Sequence, residues 1–233
     1  MNENLKYETY LLISNKKFII SVNTELDQKI YSAEQNFYDE SEFELSKKLD
    51  HFLNDNVFKI EKKLKDFIKR ISVILDLDIF SPIEISIKKK INQDEMNTKI
   101  LNHLAYEAKN YCKKSLEHKK IIHMFIKNYK LNNQSFSKLP NDISGKNLSL
   151  DIKFITIDED SIKQLEKIFK KYQISLHKVL NAEYLKEFLS QNETNIFSMA
   201  KKIAEGFNDN EVTFITKSSK KKGFFEKFFN FFN

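Results

Sequence analysis

Glycine is scarce in this chain. Only Gly145, Gly206 and Gly223 occur in 233 residues, against a usual ~7%. Loops that cradle phosphate need positive φ and close backbone approach, which glycine supplies without steric cost. Three scattered glycines do not build a Walker loop or a dinucleotide fingerprint. Cys112 is the single cysteine, which excludes an internal disulfide or a cysteine-rich metal site and suits a reducing compartment. No apolar signal region opens the chain, and no run approaches the ~18 apolar residues of a spanning helix.

What is present is a folding composition. Hydrophobic residues make up 41% and charged residues 31%, too apolar for a disordered chain. The length allows one domain or two small ones. Net charge is +6, and residues 217–233 carry five lysines and one glutamate, so +4 of it lies there. A nearly balanced body with a basic tail argues against a general nucleic-acid surface. The runs Lys88-Lys89-Lys90 and Lys119-Lys120 have acids nearby and little aromatic interleaving, so no nucleic-acid partner is expected.

The pattern predicts an α+β fold. Residues 10–22 read as short strands around a turn near Asn15, and residues 29–37 as another. From Phe43 the apolar period becomes helical through Leu45, Leu49, Phe52, Leu53, Ile60, Leu64, Phe67, Ile68 and Ile71. Val57 and Phe58 blur the stripe, which suggests a break or bend near residues 54–56. Asp76 and Asp78 then fall at a solvated helix end. Ile83, Ile85 and Ile87 alternate with polar residues, as in a half-buried strand. A second unit follows in the order helix, strand, strand, helix, strand. Asp94 and Glu95 open its first helix, and residues 140–145 form a turn. Expected units are 1–90, 91–180, a helical extension over 181–216, and a basic linker with a terminal helix over 217–233.

The histidines have no metal-ligand spacing. His123 lies between Ile122 and Met124 in a strand and should face away from both. Cys112 belongs to an apolar helix stripe, where a small buried hydrophobe is the simplest reading. Asp158, Glu159 and Asp160 suit a helix N-terminus. No catalytic residue, cofactor or metal site is assigned.

The tail is the sharpest feature. On a helix, Phe224, Phe225, Phe228, Phe229, Phe231 and Phe232 span an arc of about 160° at 100° per residue. Glu226, Lys227, Asn230 and Asn233 occupy the remainder. Lys220, Lys221 and Lys222 precede it. Phenylalanines entering the interface beside lysines facing anionic headgroups make a membrane-surface helix. Lys220, Lys221, Lys222, Phe224, Phe225, Lys227, Phe228, Phe229, Phe231 and Phe232 are therefore the expected membrane-binding residues. Docking on the chain's own core or on a partner protein are the other readings.

Residues 121–131, the turn at 140–148, the strand at 150–156 and the segments at 162–169 and 174–180 resemble, in order, a stretch of the bacterial cell-division actin homologue FtsA. Residues 92–115 are similar to the helix opening that family's inserted subdomain. Residues 7–90 are similar, more loosely, to its first actin-like subdomain, and the tail to its membrane-targeting helix. The resemblance implies a partial actin-like fold: a small N-terminal mixed α/β subdomain, an inserted interaction subdomain and a C-terminal amphipathic helix. The family continues into a second half with a glycine-rich phosphate loop, which residues 190–216 replace here. Ser14-Asn15-Lys16-Lys17 stands where its first phosphate loop should be, so no ATP-contacting residue carries over.

The resemblance implies a non-enzymatic membrane adaptor of cell division on the cytoplasmic face of the membrane. Its partners would be division proteins, a full-length FtsA-like relative or itself, and anionic lipid. The sheet edges at 121–130 and 148–156 are the candidate protein faces. The alternatives are a membrane-associated enzyme acting on a lipid or headgroup, and an unrelated membrane scaffold.

Overall fold

A computed structural model describes residues 6–38, 42–90, 98–132, 134–140, 147–191 and 193–213. The tail at 217–233 with its ten expected membrane residues, the helix opening at Asp94 and Glu95, and the turn up to Gly145 lie outside the described residues.

The chain begins as an antiparallel meander of β1 (Tyr7–Ser14), β2 (Lys17–Thr24) and β3 (Lys29–Asn36). Helix α1 (Glu42–Leu64) then leads to β4 (Arg70–Asp76), which pairs in parallel with β1. Strand β5 (Phe80–Lys90) leaves this sheet and starts another. It is followed by α2 (Thr98–Ser115), β6 (Lys119–Leu131), the short β7 (Gln134–Phe136) and β8 (Asn147–Asp158). Helix α3 (Glu159–Lys171) returns the chain to the first sheet, where β9 (Ser175–Asn181) pairs in parallel with β4. Two short helices follow, α4 (Ala182–Lys186) and α5 (Ile196–Ala204). The sheet orders are β3-β2-β1-β4-β9 and β5-β8-β6-β7.

The first sheet is buried on both faces. Successive strand residues point to opposite sides, and β1 divides accordingly. Leu11 and Ile13 pack with Leu49, Phe52, Leu53 and Ile60 of α1 and with Ile162, Ile168 and Phe169 of α3. Tyr10 and Leu12 pack with Tyr184, Leu185, Phe197, Met199 and Ile203 of α4 and α5. Strand β4 divides the same way, with Val73 and Leu75 on one side and Ile74 on the other.

Helix α2 covers one face of the second sheet, and on the other face Phe125 and Ile155 pack with Tyr184 and Leu185 of α4. Ile100, Leu104, Ala108 and Cys112 of α2 meet Met124, Ile126, Leu150, Ile152 and Phe154. Burial raises the Cys112 thiol pKa. The opposite face carries a polar ladder. Asp151 accepts hydrogen bonds from Ser86 (2.7 Å) and Asn128 (3.5 Å) and pairs with Lys130 (2.6 Å), while Lys127 meets Glu84 at 2.8 Å.

Three expectations need correction. Helix α1 runs unbroken through residues 54–56. Val57 is buried and Phe58 is 73% exposed, so the stripe blurs without a break, and Asn56 Nδ2 donates to Phe52 O within the helix at 2.7 Å. The helix ends at Leu64, followed by Lys65 at φ 55°, and Ile71 belongs to a strand. Asp76 accordingly ends β4, not a helix, and pairs with Lys186 at 2.7 Å. Finally, the sheets divide the chain differently from the expected boundary at 90/91. Strand β5 pairs with β8 from Phe80↔Ile157 to Lys90↔Asn147, and β9 belongs to the first sheet.

Candidate functional site: a cleft between two sheet edges

The sheets meet at β6 and β9. His123, on β6, is 3% exposed. A bulge between Ile121 and His123 leaves the ring on the face opposite Met124, as the alternation predicts. Its Nε2 accepts the backbone N–H of Asn181 at 3.2 Å. A neutral ring therefore carries its proton on Nδ1, which donates to Glu211 Oε1 at 2.8 Å. Glu211 Oε2 accepts from the Tyr184 hydroxyl at 2.9 Å, and Asn208 Nδ2 donates to that same hydroxyl at 2.8 Å. Burial foremost, and then Glu211, pushes the Tyr184 phenol pKa upward, with the Asn208 hydrogen bond opposing. Tyr184 also lies against His123 and stacks on Phe125, with centroids 4.4 and 5.0 Å away. Asn181 Oδ1 accepts from Tyr184 N–H at 2.7 Å and so caps α4. Both ring nitrogens of His123 are engaged, so it is a joint between the sheets and not a free base.

Beside this joint the strand edges are bare. Among the described residues, strand β9 ends its sheet and pairs only with β4. Strand β6 is covered by β7 at residues 129–131. Residues 210–212 cover its middle, where Ile126 N–H donates to Asn210 O and Val212 N–H donates to Met124 O. Residues 119–123 have no second strand partner among the described residues. A cleft of about 320 Å³ separates this stretch from residues 176–180 of β9. Past Lys120, Ile121, Ile162 and Glu166, which line both spaces, it joins a hollow of about 490 Å³ beside α2. The other edge expected from the sequence, 148–156, is not an edge. Strand β8 lies between β5 and β6.

The hollow is basic. Lys109, Lys113, Lys119, Lys120 and Lys163 line it against Glu159 and Glu166, a formal excess of three positive charges. Burial, and then neighbouring Lys113, lowers the Lys109 pKa. Lys119 donates to Ser81 Oγ at 2.7 Å, and Lys163 pairs with Asp160 at 2.9 Å.

The β1–β2 turn closes on itself. Ser14 Oγ accepts from the N–H groups of Lys16 (3.3 Å) and Lys17 (3.0 Å), and its hydroxyl donates to Lys17 O. Amides that a phosphate loop would aim at a ligand are held by the turn's own side chain. His51 and His103 are exposed and pair with Asp55 and Glu107. No group of three His, Cys, Asp or Glu residues able to hold a metal occurs among the described residues. Sequence reasoning missed Glu211, Tyr184 and Asn181. They lie 88, 61 and 58 residues from His123, and only the presence of a histidine within an apolar strand hinted at a buried partner.

No protein-family model matches the chain, and no curated protein does. Distant similarity to solved structures exists. One is the PilM-PilN type IV pilus biogenesis complex, at 6% identity and TM-score 0.40, covering 76% of this chain and 48% of that one. Another is a Bacteroides thetaiotaomicron protein with an actin-like ATPase fold, at 11% identity and TM-score 0.33, covering 80% and 56%. A third is the cytoplasmic domain of EpsL, an inner membrane component of the type II secretion system of Vibrio cholerae, at 11% and 0.33, covering 77% and 57%. The chain spans about half the length of these structures. The described residues have a mixed α/β topology.

Proposed function

We propose that this chain is a non-enzymatic scaffold that holds a protein partner at a membrane surface. The observation that carries the reading is the segregation of six phenylalanines from every polar residue over 224–233, behind three consecutive lysines. Partial burial of those rings, at up to roughly 1.5–3 kcal/mol for each one fully buried, combines with lysine attraction of roughly 1 kcal/mol per residue near an anionic surface. The joint supports a non-catalytic body, because its histidine is engaged at both nitrogens. That same engagement weighs against a lipid-acting enzyme using His123. No helix among the described residues is long and apolar enough to cross a membrane.

The test is co-sedimentation with anionic and neutral vesicles, comparing the full chain with one lacking residues 223–233. The full chain should pellet with anionic vesicles, and the shortened chain should remain in the supernatant. Equal pelleting of both would overturn the proposal. The narrower reading, with bacterial cell-division proteins as partners and a truncated or divergent FtsA relative as the ancestry, rests on the collinear resemblance of residues 92–189. Its test is a lipid-free pulldown with division proteins as bait.

A further inference from the structure

We infer that a cavity at the foot of the first sheet binds a small phosphate-bearing zwitterion of the phosphoethanolamine class. Its phosphate lies on Arg70, Ser72 and Lys178, and its ammonium lies between Glu8 and Glu205. The inference goes beyond the scaffold reading, because the site is built from the first sheet and α5 and needs neither the tail nor the second sheet. The cavity measures about 120 Å³. Its walls are the N-terminal ends of β1, β4 and β9, and the end of α5 closes it. It lies at the end of β1 opposite the β1–β2 turn.

One end of the cavity favours an oxyanion. Arg70 is the only arginine in the chain, beside 38 lysines, and it has no ion-pair or hydrogen-bond partner among the described residues. Its planar fork offers parallel N–H groups to one oxyanion, which a lysine ammonium does not. Ser72 lies two residues further along β4, on the same face. It is 7% exposed, and its hydroxyl has no partner among the described residues. A buried hydroxyl without a partner is costly, and the cavity is where a partner can arrive. Beside Ser72 the adjacent strand is bulged. Ile71 pairs with Leu176 and Ser72 with Lys178, so His177 is the extra residue on β9. The bulge lets His177 and Lys178, neighbours that would otherwise point apart, line one cavity. Burial, and then Arg70 and Lys178, lower the His177 pKa against the opposing pull of Glu8.

The other end favours a cation. Glu205 stands at the C-terminus of α5, where the helix carbonyls make a negative pole. Tyr10 donates to Glu8 Oε2 at 3.1 Å. Burial foremost, and then Glu8, Glu205 and Asp27, raise the Tyr10 phenol pKa. Lys201 also lines the cavity, but it is turned to Glu25 O and Asp27. A plain anion in this space meets two glutamates, and a plain cation meets Arg70 and Lys178. A ligand with both charges a few bonds apart satisfies both ends. The Arg70 fork, the Ser72 hydroxyl and Lys178 together offer more donors than the two oxygens of a carboxylate use well, and they suit the three of a phosphate.

The experiment is calorimetric titration of the full chain in lipid-free buffer with O-phosphoethanolamine, inorganic phosphate and ethanolamine. O-phosphoethanolamine should bind about tenfold more tightly than either fragment. Arg70→Lys keeps the charge and removes the fork, and should weaken binding about tenfold. Ser72→Ala should weaken it by a smaller factor. Glu205→Gln should erase the preference for O-phosphoethanolamine over phosphate while phosphate binding persists. Arg70 and Glu205 are exposed, so both variants should melt with the native chain, which separates lost binding from lost folding. No binding of O-phosphoethanolamine, equal affinity for it and for phosphate in the native chain, or indifference to both Arg70→Lys and Ser72→Ala would overturn the inference. Sedimentation of the full chain with phosphatidylcholine vesicles, with and without phosphatidylethanolamine, identifies the source of the ligand. Extra pelleting on phosphatidylethanolamine that Arg70→Lys abolishes assigns the site to a lipid headgroup. Pelleting that ignores both the lipid and the variant, with soluble binding intact, assigns it to a free ligand.

Discussion

The two sheets solve burial differently. Strands β1 and β4 are sandwiched between helices, so neighbouring residues such as Val73 and Ile74 are both fully buried on opposite sides. On β8, Ile152 is fully buried beneath α2 while its neighbour Asp151 belongs to the polar ladder on the other face. The first arrangement makes a rigid base with no tolerant side. The second buries one face beneath α2 and divides the other between apolar packing at Phe125 and Ile155 and an exposed polar ladder.

Alanine substitutions at these pairs provide the strongest test of that difference. Ile74→Ala and Ile152→Ala should each cost about 2–5 kcal/mol, and Val73→Ala somewhat less. Asp151→Ala should cost only about 1 kcal/mol or less, since its ion pair is partly solvated. Denaturant melts would show two expensive neighbours in the first sheet and one expensive, one cheap neighbour in the second. A cost at Asp151 equal to that at Ile152 would break the comparison.

A smaller effect is expected at the joint. Glu211→Leu leaves His123 Nδ1–H and the Tyr184 hydroxyl without their acceptor, at about 1–3 kcal/mol for each buried group left unpaired. If the joint couples the sheets, hydrogen exchange in this variant should rise in both β6 and β9. A change confined to one sheet would mean that they are held together elsewhere.

Smaller still is a pH effect within the first unit, where α1 meets α3. Tyr172 donates to Asp50 O at 2.7 Å, and Lys171 reaches the Asp50 carboxylate at 2.8 Å. Burial foremost, and then Asp50, pushes the Tyr172 phenol up to about 12. A raised folded-state value favours the protonated form. Its stabilisation is therefore complete below the unfolded value near 10 and is lost as pH rises from about 10 towards 12. The melting-temperature difference between the native chain and Tyr172→Phe should be constant below pH 10 and shrink above it. The Asp50 carboxyl is held low, chiefly by the Lys171 hydrogen bond. Its contribution is present above about pH 4, the unfolded value, and declines as pH falls through the lower folded one. Asp50→Asn should remove that acid-side decline.

The same contrast explains which elements could be read from sequence. Strand β5 was legible because one face is wetter, so Ile83, Ile85 and Ile87 alternate with polar residues. Strand β4 was not. Buried on both sides, its run Ile71-Ser72-Val73-Ile74-Leu75 has no polar alternation, and Ile68 and Ile71 fall in step with the stripe of α1 before them. A continuous apolar run can be helix or strand by periodicity alone. The joint and the cleft were illegible for another reason. Their walls come from β6, β9, α3 and the segment near Glu211, brought together only by the return of β9 to the first sheet. The lysines were visible as residues, but their convergence was not.

The shortage of glycine has a consequence at the cleft. His118, just before β6, and Gln173, just before β9, both adopt φ 59°, a conformation that glycine enters most easily. A side chain in that position narrows the conformations open to the turn, in the folded and the unfolded chain alike. The two strands whose bare edges define the gap thus leave from turns stiffer than glycine would make them. The gap between those edges is set in part by backbone restriction that exists before any contact across it forms.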